Sequence, residues 1–271
     1  MTVFPIRLDQ YVVEKNLFAS RTQAQKAIKD GTVADEAGKI FQKVSFSVTR
    51  ETAFHLTAQT SNFASRGAFK LQKGIDYFDF VLEKQTVIDI GASTGGFTDL
   101  SLRSGAAFVY AVDVGHDQLI DRLKADRRVK NIEGYNFRYA KKSDFADPQP
   151  TRAVIDVSFI SLTLILPSLY PILSADGEVI ALFKPQFEVG RENVGKKGIV
   201  RKTLPVLKAY EKIIQLSRQL GFTVAGFTNS PIQGGDGNHE FLIYLKKGDH
   251  NSSQVLFPKS IQDFIFKNYA K

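Results

Sequence analysis

The stretch Val87-Ile88-Asp89-Ile90-Gly91-Ala92-Ser93-Thr94-Gly95-Gly96-Phe97 decides the fold. An apolar run of the buried-strand type ends at a glycine-rich turn, and a helix opens from that turn. Glycine there lets the backbone approach a ligand at the carboxyl edge of a parallel sheet. A dinucleotide fingerprint would need glycine where Ser93 stands, and no G-x-x-x-x-G-K-[ST] phosphate loop is present. Asp113 ends the next strand, 22 residues after Gly91, where a carboxylate can accept hydrogen bonds from both ribose hydroxyls of a nucleoside.

Outward from this turn, strands and helices alternate. Strands are expected at 85–90, 107–114, 152–157, 178–184, 223–228 and 240–246. Helices are expected at 63–80, 98–103, 116–125 and 204–220, and Pro167 and Pro171 interrupt a further Leu/Ile-rich helical stretch. Such alternation implies an α/β fold with a parallel sheet covered on both faces. The last two strands are joined by a loop rather than a helix, so the final strand is expected to be antiparallel. Residues 59–62 read as a polar linker and 256–271 as a terminal helix.

Four ionisable residues lie at edges of apolar elements. Lys70 follows Ser65-Arg66-Gly67-Ala68-Phe69, Asp156 ends one strand, Lys184 ends another, and Glu240 starts the last. Carboxyl ends of neighbouring parallel strands face one crevice, so Asp156 and Lys184 should share it with the glycine turn. Glu240 joins them if the last strand is antiparallel. A solvated strand end explains any one of the four more readily than all of them.

The chain has 271 residues, 43% of them hydrophobic, enough for one or two domains with a core. No apolar run of about 18 residues is present to span a bilayer. The stretch MTVFPIRLDQ lacks the basic start and apolar segment of a secretory signal. Zero cysteines exclude disulfides, cysteine nucleophiles and thiolate metal sites, and fit a reducing, cytoplasmic compartment. His55, His116, His239 and His250 form no ligand-spaced set, so no metal is expected. A net charge of +8 favours a polyanionic partner. Residues 122–142 carry eight Lys/Arg against two Asp/Glu, and 184–202 carry six against two. These segments flank the crevice and suit RNA phosphates, with the loop 190–198 expected to be mobile. Tyr135, Phe137 and Phe187 are candidate stacking surfaces, with core packing as the alternative.

Residues 1–60 read as a separate module: helices at 7–16 and 21–30, the second capped by Ser20 and stopped by Gly31, then strands at 32–33, 39–41 and 52–56. Arg21, Lys26 and Lys29 share the second helix. The pattern Arg7-Leu8-Asp9…Leu17-Phe18…Ser20-Arg21-Thr22-Gln23-Ala24…Ile28…Gly31-Thr32-Val33 resembles the RNA-binding module named after ribosomal protein S-four. That resemblance implies structured RNA as a partner, with Arg7, Arg21, Lys26, Lys29 and Arg66 as candidate contacts.

D-x-G-x-x-x-G-G-F followed by A-V-D-V resembles the first two motifs of S-adenosylmethionine-dependent methyltransferases. The resemblance implies that Asp89, Gly91 and Gly95 surround the methionine and ribose portions, with Asp89 on the α-amino group and Asp113 on the ribose. Ser93, Gly96 and Phe97 complete the candidate cofactor set. Lys70, Asp156, Lys184 and Glu240 resemble, in that order, the catalytic tetrad of FtsJ-type ribose 2′-O-methyltransferases. Together with S-R-G-A-F-K-L, I-D-V-S-F-I-S-L, F-K-P-Q-F-E, G-N-H-E-F-L and the N-terminal module, the chain resembles the TlyA family, historically labelled haemolysins.

The family implies a Rossmann-like class I methyltransferase sheet at 61–271 behind a small α+β RNA-binding domain at 1–60. It implies a cytidine of 16S or 23S ribosomal RNA as target, free or in ribosomal subunits. The chemistry agrees: a ribose hydroxyl is a poor nucleophile, and a neutral lysine can take its proton, a role for which Lys184 is the candidate. Lys70 and Asp156 would position it and Glu240 would complete the cluster. A membrane-active haemolysin and a non-catalytic RNA-binding assembly factor are the alternatives.

Overall fold

The computed structural model describes residues 4–18, 20–29, 31–37, 39–56, 63–234 and 237–248. The expected linker at 59–62 and terminal helix at 256–271 lie outside them. The chain divides into two units, Met1–Arg66 and Gly67–Lys271.

The first unit runs β1 (Ile6–Arg7), α1 (Leu8–Glu14), α2 (Arg21–Lys29), β2 (Val33–Asp35), β3 (Ile40–Phe41), β4 (Ser47–Val48) and β5 (Phe54–Leu56). β3-β2-β5 form one antiparallel sheet, and β1 and β4 pair separately. Leu8 and Val12 of α1 and Ala24 and Ile28 of α2 meet Val33, Phe41 and Phe54 in its core. Asp9, fully buried, ties the helices together: it accepts from Arg7 Nε at 2.9 Å, Arg21 Nη2 at 2.8 Å and Gln25 Nε2 at 2.7 Å. Burial pushes the Asp9 carboxyl up, but those bonds prevail and hold it well below the ordinary range.

The second unit comprises α3 (Ala68–Phe78), β6 (Thr86–Ile90), α4 (Gly96–Arg103), β7 (Phe108–Val112), α5 (Asp121–Lys124), β8 (Val129–Ile132), β9 (Arg152–Ile155), α6 (Leu162–Ile172), β10 (Glu178–Phe183), α7 (Pro185–Glu188), α8 (Thr203–Leu220), β11 (Phe222–Asn229) and β12 (Phe241–Lys247). The seven strands lie in the order β11-β12-β10-β9-β6-β7-β8. β12 is antiparallel to both neighbours, and the ladders from β10 to β8 are parallel. The chain leaves β6 toward β7 and later returns to β9 on its other side, so a topological switch point lies between β6 and β9. Alternation along the strands splits the core. Ile88, Tyr110, Ile155 and Val179 face α6 and α8, whereas Ile180 and Leu242 pack under Gly74 of α3.

Two expectations are corrected. α6 runs unbroken through Pro167 and Pro171: both prolines face solvent, while Leu162, Ile165, Leu166, Leu169 and Ile172 are buried on the opposite stripe. Packing of that stripe outweighs the two missing N–H groups. The helix expected at 116–125 shrinks to one turn, because Glu133 accepts from the backbone N–H groups of Asp117, Gln118 and Leu119. The loop at 190–198 ends on buried Asn238, whose Nδ2 donates to the Gly198 carbonyl at 2.8 Å and whose Oδ1 accepts from Val200 N just beyond the loop at 3.0 Å.

Candidate active site

Gly91 and Gly95 shape the switch point for different reasons. Gly91 has φ +87°, and a Cβ there would lie 2.7 Å from the Asp156 carbonyl oxygen, so glycine lets the turn after β6 press against the end of β9. Gly95 has φ +99°, and a Cβ would fall 2.3 Å from Leu123 Cδ1. Its absent side chain makes room for α5. Gly96 and Phe97 are buried first residues of α4. Among the candidate cofactor contacts, Gly91, Ser93 and Asp113 line a crevice of about 500 Å³, together with Val114, Gln118, Tyr135–Phe137 and Asp156–Ile160. Gly95, Gly96, Phe97 and Asp89 are not among its lining residues.

Asp113 is held rigidly. Its Oδ2 accepts from Ser93 N at 2.8 Å and its Oδ1 from Gly115 N at 2.7 Å. Asp89 is fully buried, and Thr98 Oγ1 donates to its Oδ2 at 2.6 Å, while Oδ1 has no hydrogen-bond partner. An ionised carboxylate half-satisfied in such a place costs several kcal/mol, so it keeps its proton instead. Burial pushes Asp89 up to about 7, against the Thr98 bonds, and the nearby Asp156 and Asp113 charges add to the rise. A carboxyl raised in the folded state stabilises it fully below its unfolded value near 4, and that contribution is lost as pH climbs to about 7. The thermal midpoint of the ligand-free protein, referenced to Asp89→Asn, should therefore fall between pH 4 and 7, with about 1.4 kcal/mol of stability lost for each pH unit crossed. Parallel pH curves for the two proteins would refute the assignment.

The four scattered ionisable residues meet. Register places Phe183 opposite Phe241 across β10 and β12, so Lys184 and Glu240 stand side by side at the sheet edge, and Asp156 leaves β9 next to them. Lys70, in the first turn of α3, completes the group. Its Nζ donates to Glu240 Oε2 at 2.6 Å and lies 3.7 Å from Asp156 Oδ2. Lys184 Nζ makes an ion-pair contact with Asp156 Oδ1 at 2.5 Å and donates to Ser158 Oγ at 3.1 Å. Lys70, Lys184 and Glu240 are buried. Burial pushes the Asp156 carboxyl up, but the two ammonium groups outweigh it and hold the acid below its ordinary range. Two cations and two carboxylates thus neutralise one another, with Asp156 at the wall of the crevice.

Sequence reasoning missed Ser158, the second partner of Lys184, and Phe159 beside it. Phe159 is 91% exposed with φ +64°, a left-handed conformation rare for a bulky residue. Its ring sits 5.1 Å from that of Phe187. Of the other candidate rings, Phe137 is buried in the core while also lining the crevice, and Tyr135 donates to Asp144 at 2.5 Å. Burial lowers the pKa of the His239 imidazole.

The basic candidates divide. Arg7 and Arg21 serve Asp9, leaving their outer N–H groups half-exposed. Arg66 Nη1 donates to the Lys29 carbonyl at 2.9 Å, and Lys29 is exposed at the end of α2. The Lys26 side chain lies outside the described residues. Within 122–142, Arg122 pairs with Asp99 and Arg128 with Asp126, so those charges hold structure, whereas Arg138, Lys141 and Lys142 are exposed beside Tyr139. Among the described residues no helix is long and apolar enough to cross a membrane, and no group of three or more His, Asp or Glu could hold a metal ion.

Comparison with known proteins agrees with this geometry. The FtsJ-like methyltransferase family matches residues 63–247, a span that contains all four clustered residues. The 16S/23S rRNA (cytidine-2′-O)-methyltransferase TlyA of Mycobacterium tuberculosis is 33% identical over 262 residues, 96% of either chain. Hemolysin A of Brachyspira hyodysenteriae is 39% identical, covering 89% of this chain and 99% of its own. A solved structure from Streptococcus thermophilus, also bearing a hemolysin label, superposes with a TM-score of 0.75 at 43% identity, covering 99% of this chain and 97% of that one. The sheet, its crevice and these relatives lead to one assignment: the chain belongs to the FtsJ-like methyltransferase family.

Proposed function

We propose that this methyltransferase uses S-adenosylmethionine to methylate the 2′-hydroxyl of a cytidine in 16S or 23S ribosomal RNA, in the cytoplasm. The observation that carries the reading is the buried chain Glu240–Lys70–Asp156–Lys184, whose Asp156 reaches the crevice lined by Gly91 and Asp113. The nucleotide follows the name of the tuberculosis relative. Mapping 2′-O-methyl groups on ribosomal RNA from cells with and without the protein tests it. One or more cytidines should lose the mark in its absence, and an unchanged methylation map overturns the proposal.

Three features support the cofactor. The crevice has the volume of a nucleoside site. Asp113 is pre-positioned there by two backbone N–H groups and keeps lone pairs for ribose hydroxyls. Asp89 Oδ1 is buried without a partner, and an α-ammonium group brought up to it would stabilise the ionised carboxylate that burial alone disfavours. When bound, S-adenosylmethionine offers an electrophilic methyl group on its sulfonium.

The chain's own residues prepare the nucleophile. Asp156, held ionised, and Ser158 fix the Lys184 nitrogen from two sides. In its amine form Lys184 accepts the 2′-hydroxyl proton as the oxygen attacks. Lys70 keeps Asp156 in place and Glu240 balances the charge of Lys70, so no buried ion stands unpaired. Phe159 offers a ring face at the rim on which a splayed base can stack.

For the N-terminal unit the reading is RNA capture. Exposed Lys29, with the outer N–H groups of Arg7 and Arg21, supplies cationic contacts for phosphates. Lys29→Ala should weaken binding to ribosomal RNA and flatten the log–log salt dependence by about one. An unchanged salt slope removes Lys29 from the interface.

A further inference from the structure

Glu188, the last residue of α7, has no part in the proton transfer, yet its carboxylate spans the two segments that carry Asp156 and Lys184. The parallel register of β9 and β10 ends at Ile155↔Ala181. Asp156 lies just past that pair, held by a backbone bond from its N–H to the Ile90 carbonyl. Lys184 lies three residues beyond Ala181, on the side of β10 that is laddered to β12. Their separation is therefore set by side chains above the sheet.

Besides the Lys184–Asp156 ion pair itself, three ties run between 156–162 and 184–188. Lys184 Nζ donates to Ser158 Oγ at 3.1 Å, and the Phe187 ring meets Phe159 at 5.1 Å. Glu188 closes the far end: Ser161 Oγ donates to its Oε2 at 2.6 Å and the Leu162 N–H to its Oε1 at 2.8 Å. Lys184 precedes the single turn of α7 as its N-cap, and Glu188 ends that turn. The turn is closed by Val189 N donating to the Pro185 carbonyl at 3.0 Å.

We infer that Glu188 is a positioning residue: a brace that locks the segment after Lys184 onto the segment after Asp156 and so fixes the distance between the two. The inference rests on the methyl-transfer reading above. Two features agree with a brace made of hydrogen bonds rather than charge. The group is partly buried, and burial pushes its carboxyl up to about 7 against the Ser161 and Leu162 bonds, with the Lys212 charge a smaller opposing influence. A glutamine can make the same two contacts, accepting from Leu162 N and donating to Ser161 Oγ. The Ser161 hydroxyl then turns to Thr163 Oγ1, already 2.7 Å away.

The test uses the full chain and single-turnover transfer to ribosomal RNA at saturating cofactor, with rates normalised to the fraction of enzyme that binds S-adenosylhomocysteine. Glu188→Ala should be slower by about tenfold per competent enzyme, a displacement of well under 1 Å sufficing for that loss. Glu188→Gln should recover most of the rate. Ser161→Ala should lose several-fold, and the Glu188→Ala/Ser161→Ala double variant should be no slower than Glu188→Ala, because the shared bond is already gone. Equal rates in Glu188→Ala and wild type, or a glutamine variant no better than alanine, overturn the brace. So does a loss that vanishes once rates are normalised, which is what a purely structural role gives. Hydrogen exchange reads the brace without RNA: Glu188→Ala should speed exchange at 157–162 and 185–189 together, and unchanged protection there also overturns it. If wild-type enzyme itself fails to methylate ribosomal RNA, the functional reading falls instead, and the exchange result still decides the brace.

Discussion

Lys184→Ala should fold, bind S-adenosylhomocysteine as wild type does, and transfer methyl groups to ribosomal RNA about 10²–10⁴-fold more slowly, the scale of a lost general base. Three observations separate its role from those of its neighbours. The Lys184 nitrogen is held by Asp156 on one side and Ser158 on the other. Lys70 is occupied by Glu240 at 2.6 Å and reaches Asp156 only at 3.7 Å. Lys184 is absent from the crevice wall that Asp113 lines, so its loss leaves the cofactor contacts standing. Lys184→Arg should not rescue the rate, because a guanidinium does not release its proton near neutral pH. Single-turnover transfer at saturating cofactor is the measurement, since it excludes product release. Wild-type turnover in Lys184→Ala would reject Lys184 as base and move the role to Lys70.

What could be read from the sequence was what local chemistry dictates. The glycine turn announces itself because positive φ and close backbone approach at Gly91 are demands that a single residue type meets. The clustering of Asp156, Lys184 and Glu240 follows once parallel strands and one antiparallel return are recognised, since the ends of such strands share an edge, whereas Lys70, on helix α3, joins them only through the tetrad resemblance. Features set by distant partners stayed hidden. Glu133 takes the N–H groups of 117–119 from 14 to 16 residues away and cancels a helix that periodicity favours. β8 is an edge strand with Lys130 and Asn131 exposed, so it lacks the apolar run that betrays a buried strand. Arg7 and Arg21 read as RNA contacts, but a composition count does not reveal that buried Asp9 draws on both. Glu188 sits in a quotable motif, yet its meaning depends on Ser161, which is 27 residues distant.

Asp113→Ala should weaken S-adenosylhomocysteine binding by about 1.5–3 kcal/mol, the worth of hydrogen bonds to a charged group, or roughly 10–150-fold in Kd. The carboxylate lines the crevice and is fixed by Ser93 N and Gly115 N, so a ribose bound there would meet it without reorganisation. The same two bonds create a competing explanation, because removing Asp113 also strips the partner from two backbone donors and can loosen the turn. A cofactor analogue lacking both ribose hydroxyls distinguishes the two. If Asp113 binds the ribose, wild type should lose most of its affinity for the analogue, and Asp113→Ala should bind analogue and parent alike. If Asp113 acts only by stiffening the turn, the analogue's penalty should be the same in both proteins. Asp113→Asn is no mild control here: an amide has one acceptor where two N–H groups converge, so its NH₂ would face a donor. Calorimetric titration of both proteins with both ligands gives the four affinities needed, and equal affinity of wild type and Asp113→Ala for the parent ligand would remove Asp113 from the cofactor site.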